Sequence, residues 1–130
     1  MERGQSIHVD NSEHLCDILE KMIALLVETG DAFAVVSVGE PGFMQVMAND
    51  DGALRLESSS SDRVLEANLG FEERLEHYEH IAASYIPAGL PSKERYVAKI
   101  MTRLAVEVHD VEFPRSLKFD LDVNDLVTQS

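Results

Sequence analysis

One group of acidic residues and histidines has a spacing that could bind a metal. Glu73, Glu76, His77 and His80 lie within eight residues, and two Glu–His pairs are each four residues apart. On a helix these pairs would share neighbouring faces and offer oxygen and nitrogen ligands to a divalent cation. The spacing differs from the His-Glu-x-x-His zinc motif, and a solvated acidic helix face explains it more simply. We therefore predict no metal here, with a small metal-dependent enzyme or regulator as the competing hypothesis.

The other residues with reactive side chains lack the partners that catalysis needs. Cys16 is the single cysteine, which excludes a disulfide within the chain, and its apolar neighbours predict an inert, half-buried thiol. The serine run 58–61 has no nucleophile-elbow context. The turn glycines are not followed by the lysine of a phosphate-binding loop, and they do not form the glycine pattern of a dinucleotide-binding site. These features predict no catalytic residue, no cofactor and no enzymatic activity.

Length and charge narrow the classes of function. The chain has 130 residues, the size of one domain, and a net charge of −13 from 24 acidic and 11 basic residues. This charge repels nucleic acids and anionic membranes, and it either favours a basic partner or only maintains solubility. Residues 1–10 are polar, which predicts no signal peptide, and no apolar run reaches the roughly 18 residues that span a bilayer. A cytoplasmic protein is expected.

An amphipathic helix is the first element that the sequence predicts. Its apolar residues recur every three or four positions, at Leu15, Ile18, Leu19, Met22, Ile23, Leu25 and Leu26. Asp10 with Glu13 suits a capping box, Ser12 is a competing cap, and Thr29-Gly30 is predicted to end the helix.

Three short strands are predicted next, at 32–38, 43–48 and 54–57. The first is rich in β-branched residues, and the turn sequences 39–42 and 49–52 separate the three. Two successive tight turns favour an antiparallel meander.

The second half of the chain is less regular. A short helix is predicted at 63–69, closed by Gly70, and residues 71–86 fit a helix better than the strand that is the alternative. Ser92 is predicted to cap a long helix, and the alternation from Leu117 to Val123 predicts a strand or a segment that docks as one.

Together these elements predict a single α+β domain over residues 1–130. It has a polar N-terminal arm (1–10), an antiparallel three-stranded meander packed against the N-terminal and C-terminal long helices, and a C-terminal tail (112–130). The predicted core is Leu19, Ile23, Leu26, Val36, Val46, Leu56, Ile100 and Leu104.

Three short segments give the chain a resemblance to a known superfamily. They are Phe43–Val46 (FMQV), Asp51–Glu57 (DGALRLE) and Leu69–Phe71 (LGF). With the order of helix, meander and long helix, from Ser12 to Asp110, the chain resembles the type III secretion chaperones and YbjN-like proteins, including the actinobacterial TY-Chap domains. The resemblance implies a non-enzymatic, chaperone-like protein that holds a client protein or peptide.

The meander is the predicted binding surface for such a client. A partner would dock on an exposed strand edge or on the sheet face that the helices leave free, through Phe43, Met44, Gln45 and Met47. A homodimer is also expected. The alternative function is an acidic inhibitor or immunity-type protein, or a regulatory protein, that binds one basic partner.

Overall fold

The computed structural model describes residues 4–39, 42–76 and 79–122, with side chains except at 74–80 and 122. These ranges form seven strands, three α-helices and one π-helical turn. In chain order they are β1 (Gly4–Val9), α1 (Ser12–Thr29), β2 (Ala32–Ser37), β3 (Phe43–Ala48), β4 (Leu54–Ser58), α2 (Ser61–Glu66), β5 (Glu72–Glu76), β6 (Glu79–Ile86), α3 (Lys93–Arg103), the π turn (Leu104–Val108) and β7 (Arg115–Asp122).

The strands form one sheet in the order β1-β7-β2-β3-β4-β6-β5, and every neighbouring pair is antiparallel. The predicted fold, a three-stranded meander with long terminal helices, is therefore wrong. The three predicted strands form the centre of the sheet, but β7 extends it on one side, and β6 and β5 extend it on the other. The predicted polar arm contains an edge strand, β1, which pairs with β7.

Local hydrogen bonds set the ends of α1 and the turn from β3 to β4. Asn11, rather than Asp10 or Ser12, caps α1, because its side chain accepts a hydrogen bond from the His14 N–H at 2.8 Å. Gly30, at φ 74°, ends the helix and donates to the Leu26 carbonyl. After β3, the Gly52 N–H donates to the Asn49 carbonyl at 3.0 Å, which closes the turn.

The helices cover one face of the sheet. Buried side chains alternate along β2 and β3, and they share one apolar cluster with α1, α2 and α3. Of the eight predicted core residues, seven are at most 1% exposed and Ile100 is partly buried against the cluster. Among the helices of the described residues, none combines the length and the apolar composition that a membrane-spanning helix requires.

The helix prediction for 71–86 is wrong, because residues 72–76 and 79–86 form the strands β5 and β6. These strands pair with each other, and β6 also pairs with β4, so that Leu56 lies opposite Ser84. The preceding helix is Ser61–Glu66, shorter and earlier than predicted. The tail does contain a strand, β7, whereas residues 123–130 lie outside the described part of the chain.

Candidate functional site

The face of the sheet opposite the core is the candidate binding surface. We define the open face as the residues of the central strands and their neighbours that point away from the helices, although Glu57 and Ala83 among them are buried. It consists of Phe33, Val35, Ser37, Phe43, Gln45, Met47, Arg55, Glu57, Ala83, Tyr85, Lys118 and Asp120. No helix of the described chain packs on this face, since the helices share the core of the other one. The open face is therefore where the sheet can contact another molecule.

Strand register groups the apolar residues of the open face. Phe33 lies directly opposite Met47, Met47 opposite Arg55, and Arg55 opposite Tyr85. Directly opposite residues on one face have adjacent Cβ atoms, so these four side chains form a continuous row across four strands. Phe33 and Met47 are partly buried, and Tyr85 is 53% exposed. The row offers aromatic and thioether surface beside one cation.

A second row, parallel to the first, is mostly polar. It runs Asp120, Val35, Gln45 and Glu57. Glu57 is only 7% exposed, which is unusual for a carboxylate, and it forms an ion pair with Arg55 at 2.6 Å. The same guanidinium lies 5.5 Å from the centroid of the Tyr85 ring, within the range of a cation–π contact. The ion pair and the cation–π contact together hold the side chains of Arg55 and Glu57 in place beside the apolar residues of the open face.

The four predicted binding residues separate between the two faces of β3. Phe43, Gln45 and Met47 lie on the open face, whereas Met44 is fully buried in the core. β3 is also the middle strand of seven, with β2 and β4 paired on its two sides. The meander thus has no free edge, and only the predicted face is left for a partner.

A serine–histidine pair that the sequence analysis missed lies at the end of β4. The Ser58 hydroxyl is 2.9 Å from Nε2 of His109, which follows the π turn, and it donates to the Ser59 carbonyl at 2.9 Å. Ser58 is fully buried. A nucleophile must reach its substrate, so Ser58 in this position serves packing rather than attack.

The pair also connects the helical side of the protein to the start of β3. The Phe43 N–H donates to Oγ of Ser59 at 2.9 Å, and the Ser59 N–H donates to the Phe43 carbonyl at 3.1 Å. His109 packs against Gly42, where an added Cβ would lie 3.2 Å from Nδ1. His109 therefore supports the start of β3, where Phe43 lies on the open face.

Burial lowers the pKa of His109, and the positive charge of Arg63 lowers it further, while Asp110 opposes both effects. The folded protein thus favours the neutral imidazole. Between the lowered folded-state pKa and the ordinary histidine pKa of 6.5, the imidazole is protonated in the unfolded chain and neutral in the folded chain. This contribution to stability is complete above about pH 6.5 and is lost as the pH falls towards the lower folded-state pKa.

We expect His109→Gln to reduce the loss of stability on acidification. Glutamine keeps an N–H for the Ser58 hydroxyl but does not titrate. Urea unfolding at several values between about pH 7 and about pH 5 measures the effect, and the variant should show the shallower fall. An unchanged pH dependence would mean that His109 is not responsible.

The predicted Glu–His group does not lie on a helix. Glu73 is in β5, where its carboxylate accepts a hydrogen bond from the Ser61 hydroxyl at 3.2 Å, and Glu76 and His80 are in β5 and β6. His77 lies outside the described residues. The helical spacing on which the metal hypothesis depended is therefore wrong. The described side chains contain no cluster of three metal-binding residues.

Cys16 lies at a groove between α1 and α3. Ser12, Glu13, Cys16, Lys99, Thr102 and Arg103 line this groove, whose volume is about 330 Å³. Cys16 itself is 6% exposed. The thiol therefore contributes mainly to the packing of the two helices.

A comparison of the chain with protein-family models, curated proteins and solved structures gives no match. The resemblance to secretion chaperones therefore stays a prediction, and the geometry of the open face carries the functional argument.

Proposed function

We propose that the protein binds a segment of another protein on its open face, in a non-enzymatic, chaperone-like role. The observation that carries this proposal is the row of Phe33, Met47, Arg55 and Tyr85 on a face that no described helix covers. Aromatic residues and arginine are the side chains that contribute most to protein interfaces.

The composition of the face suits a client of variable sequence. Met47 is unbranched and polarizable, so it adapts to different apolar side chains. Gln45 can donate to and accept hydrogen bonds from a peptide backbone. An apolar centre with nearby polar groups is the usual organisation of a protein-binding surface. A partly apolar segment of the client, lying across the strands, fits these groups.

The charge of the rest of the chain adds a preference among clients. A net charge of −13 attracts basic segments over a distance and accelerates their association. This steering weakens as salt is added, because at 0.1 M salt the interactions between exposed charges more than about 10 Å apart are largely screened. The apolar contacts on the open face do not depend on salt in this way.

We expect Phe43→Asp and Met47→Asp each to weaken client binding by about tenfold or more, equivalent to about 1.4 kcal/mol. An aspartate on this face would have to lose water against an apolar client. The measurement is co-purification from the native cell with quantitative mass spectrometry, in which the variants are compared with the unmodified protein.

Leu25→Asp is the matched control, because it adds the same charge at an apolar residue that is 40% exposed on α1. A client of the open face is retained by Leu25→Asp and lost from the other two variants. If both open-face variants stay folded and retain the partner, the open face is not the docking surface. A partner that all three variants retain, and that salt releases, would favour the alternative of an acidic protein directed at one basic target.

A further inference from the structure

The two edges of the sheet differ sharply in charge. In the described part of the chain these edges are β1 and β5. β5 has the sequence EERLE, with four charged residues in five, whereas β1 has the sequence GQSIHV and contains no aspartate, glutamate, lysine or arginine. Charged side chains on an edge strand oppose pairing with another sheet. β5 is therefore protected against such pairing, and β1 is not.

At the β1 edge of the sheet the apolar core is not fully covered. Val9 is fully buried, but Ile7, on the same face, is only partly buried at the rim of the apolar cluster. On the other face Ser6 and His8 are exposed. One more strand beside β1 would cover Ile7 and would satisfy the outward-pointing backbone groups of the edge.

We propose that β1 pairs antiparallel with β1 of a second copy of this chain, around a twofold axis that passes through Ile7. Two identical strands related by such an axis are self-complementary, so one surface supplies both halves of the contact. Each copy carries a net charge of −13, so most other contacts between copies would bring acidic surfaces together. The uncharged β1 strand avoids that repulsion.

The strand pleat restricts the register of this pairing. Directly opposite residues share a face, so Ile7 must lie opposite an odd-numbered residue of the other strand if the two cores are to stay on one side of the sheet. Pairing Ile7 with its own copy brings the two partly buried side chains together. Ser6 then lies opposite His8 of the second copy on the other face, where both are already exposed.

Asp120 and Lys118, opposite Gly4 and Ser6 on β7, do not obstruct this edge, and Asp10 lies just beyond the end of β1, where its carboxylate is 3.3 Å from Nε2 of His8. An added Cβ on Gly4 would lie 2.6 Å from Oδ1 of Asp120 and 2.7 Å from Cε of Lys118. The side chains of Asp120 and Lys118 therefore extend over Gly4, above the plane of the sheet. The backbone N–H and C=O groups of an edge lie within that plane, where a second strand approaches.

Cysteine crosslinking tests both the contact and its register. In a Cys16→Ala background, Ile7→Cys should form a disulfide-linked dimer under mild oxidation, because opposite Cα atoms are about 4.5 to 5.5 Å apart. Gln5→Cys is the matched control. It is more exposed, yet its two copies would be about 14 Å apart along the strands in this register, beyond the limit of about 7 Å for a disulfide. Faster crosslinking of Gln5→Cys or Ser6→Cys, or none at Ile7→Cys, overturns the proposal.

Sedimentation of the unmodified protein gives an independent result. The dimer fraction should increase as sodium chloride rises from about 0.05 M to about 0.5 M, because salt screens the repulsion between two acidic chains. A monomer at every salt and protein concentration would overturn the proposal. Binding of a basic client should change with salt in the opposite direction, and the variants Phe43→Asp and Met47→Asp leave β1 intact. Failure of the dimer is thus distinguishable from failure of the proposed function.

Discussion

Replacing Leu104 by alanine should lower the free energy of unfolding by about 2 to 5 kcal/mol. Leu104 is fully buried and begins the π turn that continues α3. Removing its branched end loses apolar transfer energy and leaves a cavity that close-packed neighbours fill only in part. Urea unfolding of the variant and of the unmodified protein measures the difference.

Val106→Ala is the control for this prediction. Val106 lies in the same π turn, two residues further on, but it is 40% exposed. The substitution should cost about 1 kcal/mol or less, because much of the valine side chain is already in water. If Leu104→Ala also costs under about 1 kcal/mol, Leu104 does not lie in the core.

The core is the part of the structure that the sequence predicts best. Leu19, Ile23 and Leu26 repeat at helical spacing, and Val36, Val46 and Leu56 lie on strands bounded by clear turns. Such periodic burial depends on local geometry, so it is visible without knowledge of the fold. The same signals located α1 and the three central strands.

The width of the sheet depends on pairing between distant segments, which local patterns do not encode. Residues 72–76 and 79 include four glutamates, which are good helix formers, yet they lie in β5 and β6. Pairing of β6 with β4 buries Ala82 and Ala83 and overrides that preference. β1 was missed because it is a polar edge strand in which only Ile7 and Val9 are large and apolar.

The candidate site was also found only in part. Phe43, Met44, Gln45 and Met47 were predicted to contact a partner at an exposed strand edge or on the uncovered face of the sheet. The strand places Met44 in the core, and only the other three lie on the open face. Phe33 and Tyr85 join the same surface only through pairing with neighbouring strands. The contact between Ser58 and His109 joins residues 51 positions apart, and no spacing rule predicts it.

Replacing Glu57 by leucine should destabilise the protein by about 3 kcal/mol, more than the double replacement Arg55→Met, Glu57→Leu. The Glu57 side chain is 8% exposed and Arg55 is 22% exposed, so water screens their charges weakly. The single change removes the carboxylate 2.6 Å from the guanidinium, while the cation stays mostly out of water. The double change removes both charges and replaces them with apolar side chains of similar size.

A double-mutant cycle with urea unfolding separates these contributions. The two single variants and the double variant should give a coupling energy of about 1 to 3 kcal/mol. The exposed pair Arg103 and Glu107, whose side chains are 55% and 44% exposed, is the control, and Glu107→Gln should cost about 0.5 kcal/mol or less. If the costs of the Arg55 and Glu57 changes simply add, the two groups stabilise the sheet independently. Their coupling would instead mean that the ion pair helps to hold the polar row of the open face in place beside Tyr85.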